Sequence, residues 1–265
     1  MGKNKCVFGT YEWAAETVNI INGCKHDCKY CYSKSMAIRF KRKTADNWKN
    51  EEVRTNGALK YSKKVDGTIM YPSTHDIHPD NLEYHISFIR RLLEHGNSLL
   101  IVSKPHIKSI NEICNIFAGY KDMILFRFTI GSSNSETLNF WEPGAPDYSE
   151  RIEALKIAWN SGYRTSVSCE PMLDNKIVDV IDDVYDYVTD AIWLGKANYL
   201  MRRLKINMHN DMTTIKKANN LLLWQSDNNI ISLYNKLKNN PKIKWKESIK
   251  SVIGLNIATQ RGLDI

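Results

Sequence analysis

Three cysteines lie close together near the start of the chain, at Cys24, Cys28 and Cys31. They form a C-x3-C-x2-C motif in which the aromatic Tyr30 precedes the last cysteine. A cubane iron–sulfur cluster normally takes four thiolates, so this loop supplies one ligand fewer than usual. One iron would then have no protein ligand and would be free to bind and polarise a small molecule. The motif therefore predicts a reaction site more than a centre that only carries electrons.

Two other interpretations of the same cysteines stay open from the sequence. The three thiolates with His26 would make a Cys3His zinc site, although the ligands of such sites usually come as separated pairs from two segments. The triplet could also be coincidental, since the chain has six cysteines in all. The remaining three show no pairing rhythm, and they are Cys6, Cys114 and Cys169.

Short apolar runs alternate with helical patterns along most of the chain. Alternation of this kind implies parallel strands joined by right-handed crossovers, and therefore an α/β fold. Six such units are too few for a closed eight-stranded barrel. The six predicted strands are Thr17–Ile21, Thr68–Tyr71, Ser98–Val102, Ile124–Ile130, Arg164–Ser168 and Ala191–Leu194.

Polar residues follow the predicted strands, at the carboxyl ends where the chemistry of parallel sheets gathers. Lys104 is the hardest of them to explain structurally, because a lysine drawn into a barrel mouth needs an anion. The others have side chains that suit either ligand contact or capping of the next segment. They are Ser73, Thr74, Ser132 and Glu170.

The cysteine loop resembles the signature of the radical S-adenosylmethionine (radical SAM) superfamily. In that family the open iron chelates the amino and carboxylate groups of the methionine moiety, and Tyr30 matches the aromatic beside the adenine. The resemblance implies a [4Fe-4S] cluster and S-adenosyl-L-methionine as cofactors. It also implies a partial (β/α)6 barrel whose open side admits a large substrate, and an external one-electron reductant of the flavodoxin or ferredoxin type.

The strand-end motifs narrow the resemblance to the spore photoproduct lyase-like branch. They are a second-strand Ser-Thr-His-Asp, a third-strand Ser-Lys-Pro and a fifth-strand Ser-Cys-Glu-Pro. Tyr30, Ser73 and Lys104 match positions that help to hold the cofactor in that lyase. The lyase carries its hydrogen-donating cysteine after the second strand, where this chain has none. Repair of a thymine dimer by that route is therefore not expected.

The resemblance implies a radical SAM enzyme of the lyase or transferase type. Reductive cleavage of S-adenosylmethionine would give a 5′-deoxyadenosyl radical that abstracts hydrogen from a substrate. Nucleic acid or a nucleotide, in repair or modification, is the first substrate class, and a peptide or small metabolite is the alternative. An alternative of another class is a nucleic-acid-binding module with a structural metal.

Cys169 is the candidate catalytic thiol, and two interpretations of it stay open. A cysteine at the end of a strand is commonly a small buried hydrophobe. If it faces the barrel mouth, it lies near the substrate radical, and its S–H bond is a good donor of a hydrogen atom.

The net charge of +8 indicates an acidic partner, with nucleic acid as the default. Basic residues concentrate in Lys34–Lys43 and in Lys236–Lys250, where Trp245 could stack on a base. A solvated helix face explains such runs equally well.

Residues Met1–Cys6 lack the apolar stretch that is typical of a secretion signal, and no apolar run of the sequence approaches the ~20 residues of a membrane span. We expect a cytoplasmic protein, because a reducing compartment keeps the cluster thiols unpaired. Two parts are predicted: a radical SAM partial barrel over residues 1–200, and a helical, basic C-terminal extension over residues 201–265 that packs on the same domain.

Overall fold

The computed structural model describes residues 6–54 and 60–263. Seven strands form one parallel sheet in the order β1-β4-β5-β6-β7-β8-β9, and β2 and β3 form a separate antiparallel pair. The strands in chain order are β1 (Glu16–Thr17), β2 (Ile21–Asn22), β3 (Glu52–Val53), β4 (Thr68–Tyr71), β5 (Ser98–Ser103), β6 (Ile124–Thr129), β7 (Arg164–Cys169), β8 (Ile192–Leu194) and β9 (Ile243–Trp245).

Helices connect the successive strands of the sheet, as a parallel arrangement requires. The helices are α1 (Tyr32–Arg39), α2 (Leu82–Glu94), α3 (Ile107–Ile116), α4 (Ser135–Trp141), α5 (Tyr148–Asn160), α6 (Ile177–Val184), α7 (Leu200–Ile206), α8 (Met212–Trp224), α9 (Asp227–Leu237) and α10 (Glu247–Ile253). The predicted α/β partial barrel with a largely helical extension is confirmed. None of the helices in the described residues is both long and apolar enough to cross a membrane.

The two faces of the sheet bury different sets of side chains. Residues such as Ile101, Phe126 and Val167 face outward and pack in one large core with the helices. The inner face holds a smaller cluster that includes Met70, Leu100 and Trp193. Trp13, from the segment before β1, fills this interior by packing on Trp193 with ring centroids 5.7 Å apart. Strand residues therefore alternate between a helix-facing core and the inside of the barrel.

The predicted first strand, Thr17–Ile21, is split in the structure between β1 and β2. Asn19 lies between them and its side chain binds the loop after β4: its Oδ1 accepts the backbone N–H groups of Ser73 and Thr74, both at 2.8 Å. The break in the strand therefore ties the approach to the cysteines to a neighbouring strand end.

The C-terminal extension contributes a seventh strand that the sequence did not predict. β9 pairs with β8 in parallel, with Trp193 opposite Lys244 and Leu194 opposite Trp245. Trp245 is buried and packs on Tyr234, with ring centroids 5.3 Å apart. The prediction that Trp245 stacks on a base is therefore wrong. The boundary at residue 200 stays a prediction.

A buried lysine joins the two edges of the sheet. Lys246 directly follows β9, and its Nζ donates to the carbonyl oxygen of Gly9 at 3.0 Å and lies 2.9 Å from Glu12 Oε1. Gly9 and Glu12 precede β1, the opposite edge strand. The side that we expected to be open to a large substrate is therefore bridged by the chain's own N-terminal segment.

Candidate active site

The cysteine loop runs from the end of β2 to the start of α1 and is held by distant segments of the chain. Cys24 N donates to Trp48 O at 3.0 Å, and Lys29 N donates to Trp141 O at 2.9 Å. Asn207 Nδ2 donates to the carbonyl oxygens of Lys29 and Cys31, at 2.9 and 3.0 Å. These bonds fix the backbone between the thiols.

Gly144 presses against the same loop. Its N–H donates to His26 O at 3.1 Å, and a Cβ atom at Gly144 would overlap the carbonyl oxygen of Lys25. Only glycine permits so close an approach of two backbones. The segment after α4 therefore forms one wall of the cysteine loop.

The three thiols are free and gathered in this loop. Cys24 and Cys28 are buried and Cys31 is half-buried. Burial raises the pKa of Cys28 to about 12; Lys104 opposes this rise, while Glu142 and Cys31 add to it. Burial also raises the pKa of Cys24, and the neighbouring Asp76, Cys28 and Cys31 raise it further. Each thiol is thus close enough to influence the others, which suits three ligands of one cluster.

His26 does not join the thiols, although the zinc interpretation required it. Its Nδ1 lies 3.2 Å from Asp76 Oδ2, and its Nε2 lies 3.1 Å from His106 Nε2. Both ring nitrogens of His26 thus face Asp76 and His106 and not the thiols, so His26 is not placed as the fourth ligand that the zinc interpretation needs.

Lys104 lies beside the thiols, at the end of β5, as the sequence predicted for the barrel mouth. Its Nζ is 3.9 Å from Glu142 Oε1 and 5.9 Å from the ring centroid of Tyr30. Burial alone would lower the pKa of Lys104, but the neighbouring Cys28, Glu142 and Asp76 together raise it. Lys104 is therefore a fixed cation at the site.

Glu142 and Arg151 complete this network, and sequence reasoning missed both. Glu142 is buried, accepts a hydrogen bond from the hydroxyl of Tyr30, and lies 2.6 Å from Arg151 Nη2. Arg151 also donates to the carbonyl oxygens of Pro146 and Thr129. Neither follows a strand, so no strand-end pattern signals them. Arg151 holds the carboxylate of Glu142, and Glu142 in turn contacts both the hydroxyl of Tyr30 and the ammonium group of Lys104.

Ser73 and Thr74 lie beside the loop and differ in their hydrogen bonding. Ser73 Oγ accepts from Asn19 Nδ2 at 2.9 Å. The hydroxyl of Thr74 is buried and has no hydrogen-bond partner among the described residues. A buried polar group of this kind is costly unless a ligand or water satisfies it. Thr74 is therefore the stronger candidate for a ligand contact.

Asp76, within the Ser-Thr-His-Asp motif, anchors the next strand end. Burial alone would raise its pKa, but His26 and Lys104, with the hydrogen bond from Ser103, hold the pKa well below its usual range. Its carboxylate also accepts the backbone N–H of Lys104 at 2.9 Å. The ionised carboxylate of Asp76 thus fixes the backbone of Lys104.

The structure does not bring Ser132 and Glu170 equally into the site. The hydroxyl of Ser132 donates to Asp174 and accepts from Asn134 N, so it is used within its own loop. Glu170 Oε2 lies 3.6 Å from Lys246 Nζ, and burial raises the pKa of Glu170. Glu170 therefore faces the barrel interior.

Cys169 is not part of the opening, which favours the first of its two interpretations, a small buried hydrophobe, over the catalytic thiol. It is completely buried in the large core between sheet and helices, on the same face of β7 as Val167. The inward face of β7 carries Ser166 and Ser168, since Ser166 accepts a hydrogen bond from the interior Arg127. The sequence placed Cys169 at the correct strand end, but the strand's alternation directs its side chain to the helices.

The family model of the Radical SAM superfamily matches residues 18–188. A relative among curated proteins is the uncharacterized protein ORF301 of Acidianus two-tailed virus, which is 23% identical over 189 residues, covering 65% of this chain and 60% of the relative.

Two kinds of solved structure are similar to the chain. Spore photoproduct lyase complexed with dinucleoside spore photoproduct has a TM-score of 0.52 and 15% identity, covering 73% of this chain and 60% of the lyase. SuiB of Streptococcus suis bound to the precursor peptide SuiA has a TM-score of 0.52 and 13% identity, covering 94% of this chain and 54% of SuiB. The chain thus spans little more than half the length of these proteins, and at such identities the likeness concerns the fold. With a family model that matches more than half of its length, the chain belongs to the radical SAM superfamily.

Proposed function

We propose that Cys24, Cys28 and Cys31 hold a [4Fe-4S] cluster that acts on S-adenosyl-L-methionine. The observation that carries this proposal is the gathering of three free thiols on one rigid loop beside the cation Lys104. Soft thiolates suit iron–sulfur clusters, and three of them leave one iron for a small molecule. When bound, the reduced cluster would give one electron to the sulfonium of S-adenosyl-L-methionine and so supply methionine and a 5′-deoxyadenosyl radical, the species that would abstract hydrogen from a substrate.

The protein's own residues bind and orient these groups. The charge of Lys104 offsets the negative thiolates and suits the carboxylate of a methionine moiety. The unpartnered hydroxyl of Thr74 offers a hydrogen bond near the loop, and the Ser73 backbone is held beside it by Asn19. Tyr30 is positioned by Glu142 to present its ring toward Lys104. Glu170 offers a carboxylate from the barrel interior.

Burial of the site also excludes water. Cys28, Tyr30 and Glu142 are all buried, and a dry pocket protects reactive species from side reactions. The same low polarity strengthens the interaction of Lys104 with anions.

For the substrate, we propose a nucleic acid or nucleotide first. The support is the likeness to a lyase solved with a dinucleoside photoproduct. The second candidate is a peptide, supported by the likeness to SuiB solved with a precursor peptide.

Anaerobic reconstitution tests the cluster. The wild-type protein should bind about four irons and four sulfides, and a variant with Cys24, Cys28 and Cys31 changed to alanine should bind none. Cys6→Ala is the matched control, because Cys6 is exposed and outside the loop, and it should keep the full complement. Retention of iron by the triple variant, or stoichiometric zinc in the wild type, would overturn the proposal.

Formation of 5′-deoxyadenosine with dithionite tests the reaction. Nucleic acids, nucleotides and peptides are then screened for deuterium exchange with labelled S-adenosylmethionine. Label in an oligonucleotide or nucleotide supports the first substrate class, and label in a peptide alone supports the second.

A further inference from the structure

The face formed by α1 and α7 is not used by the chemistry proposed above, yet it begins at the cysteine loop. Cys31 is the N-cap of α1, and Tyr32 is the first residue of that helix. The guanidinium of Arg203 on α7 lies 5.4 Å from the ring centroid of Tyr32 and interacts electrostatically with the Cys31 thiol. This surface therefore begins at the residue that follows Cys31, a proposed ligand of the cluster.

A groove runs between the two helices. Its composition is that of a protein interface, in which aromatic residues, Met and Arg are enriched. Tyr32 is 56% exposed and Tyr199 is 74% exposed, so neither ring is covered by the described part of the chain. The groove is lined by Tyr32, Met36, Arg39, Tyr199, Arg202 and Arg203, with Ser35 and Ile206.

The charge on this face has one sign. Residues 28–45 and 191–210 contain ten lysines and arginines, of which Lys34, Lys43 and Lys196 are paired with carboxylates elsewhere in the chain. Arg39, Arg42 and Arg202 are exposed. The charged residues that line the groove are therefore all arginines, and a surface of this kind attracts a partner of the opposite sign and speeds its docking.

Tyr199 is held in an unusual backbone conformation. Its φ of 54° lies in the left-handed region, which is costly for a residue with a large side chain. The helix that follows fixes it, since Arg203 N donates to Tyr199 O at 3.0 Å. Strain of this kind persists where surrounding structure over-determines it and is found at functional surfaces.

We propose that the α1–α7 face docks an acidic one-electron carrier protein with a flavin or iron–sulfur centre. This proposal rests on the proposed function, because the carrier would be oxidised by one electron and the cluster held by Cys31 reduced by one. No bond forms or breaks in this transfer. Electron-transfer partners form small, weak interfaces, which suits a shallow groove with charged sides.

Charge reversal on the face tests the proposal. The double variant Arg39→Glu, Arg202→Glu should bind an acidic flavodoxin about tenfold more weakly than wild type at low salt, and the difference should shrink as salt rises. The matched control is Lys236→Glu, Lys238→Glu, which reverses two exposed charges on and just after α9 and should bind like wild type. Binding is measured by calorimetry with the iron-loaded protein.

A second measurement separates this proposal from the proposed function. With flavodoxin as reductant, S-adenosylmethionine cleavage by the double variant should slow by about the same factor, while cleavage driven by dithionite should not change. Unaltered flavodoxin binding by the double variant would overturn the docking proposal. If the double variant binds flavodoxin normally but no longer binds a single-stranded oligonucleotide, the groove is a nucleic-acid site. Absence of cleavage by wild type with dithionite would instead refute the proposed function.

Discussion

Two buried lysines, Lys104 and Lys246, lie inside the same barrel with carboxylates around them and serve different ends. Lys104 keeps 16% of its side chain exposed, and its nearest carboxylate, Glu142, is 3.9 Å away. Lys246 is completely enclosed, donates to a backbone carbonyl, and lies 2.9 Å from Glu12. Lys104 therefore has room to bind a further anion. The ammonium group of Lys246 already has its partners within the protein.

The difference shows that a buried charge marks a ligand site only where its partners leave it incomplete. Lys246 also lies 4.0 Å from the ring centroid of Trp13 and close to Glu170 and Glu247. Its role is to join the edges of the sheet. Lys104 stands at the carboxyl ends of the strands beside the thiols.

The largest effect should come from Lys246→Ala. Removing Lys246 leaves the carboxyl groups of Glu12, Glu170 and Glu247 without their shared cation and the Gly9 carbonyl without its donor. We therefore expect a loss of about 3–5 kcal/mol in the free energy of unfolding, the range for breaking a buried charge network. Urea denaturation of the apoprotein measures it. Lys236→Ala, at an exposed position of α9, should change stability by no more than about 0.5 kcal/mol. Equal losses of stability at the two positions would show that Lys246 does not stabilise the contact between the two edges of the sheet.

Glu12→Gln should give the next largest effect, seen as a change in pH dependence. Burial and a hydrogen bond with Glu247 raise the pKa of Glu12 from 4.5 to about 8, with Lys246 opposing. The folded protein keeps a proton that the unfolded chain loses, so stability falls as pH rises from about 4.5 to 8. The variant should flatten this decline in urea titrations across that range. A decline as steep as in wild type would assign it to other groups.

Lys104→Ala should act on ligand binding while leaving iron content unchanged. We expect S-adenosylmethionine to bind more weakly by roughly 1.5–3 kcal/mol, the range for a hydrogen bond to a charged group. Equilibrium dialysis with the anaerobic, iron-loaded protein measures this affinity. An unchanged affinity would mean that Lys104 pairs only with Glu142 and binds no ligand. Both lysines would then have a purely structural role.

Cys169→Ala should have the smallest effect. Its thiol lies in the helix-facing core, so the truncation should cost about 1 kcal/mol of stability. Product analysis should show normal product at normal yield. An aberrant or trapped product would return Cys169 to the reaction in spite of its position.

The parts of the fold with strong periodicity could be predicted from the sequence, and the long-range partners could not. Strands β4, β5, β6 and β8 are largely apolar runs, and Lys104 was found because it follows one of them. β9 is only three residues long and carries a lysine at its centre, so it has no pattern of its own. Its pairing with β8 buries Lys246, which the sequence assigned to an exposed basic run.

The site shows the same limit. The thiols are local in sequence and could be recognised by their spacing. Glu142 and Arg151 reach Tyr30 from more than a hundred residues away, and only tertiary structure brings them together. The direction of Cys169 depends on strand alternation, whose phase is ambiguous where both faces of a strand are buried.

The hydrogen bonds of the cysteine loop set an order of events in the life of the protein. The loop is tied to Glu51, 26 residues away, and to Asn207, 178 residues beyond Lys29. A ribosome completes the three cysteines long before it reaches Asn207, and contacts of such separation form late in folding. We therefore expect the loop to acquire its shape only when the barrel is assembled, so that the proposed cluster would enter a folded protein instead of a nascent chain.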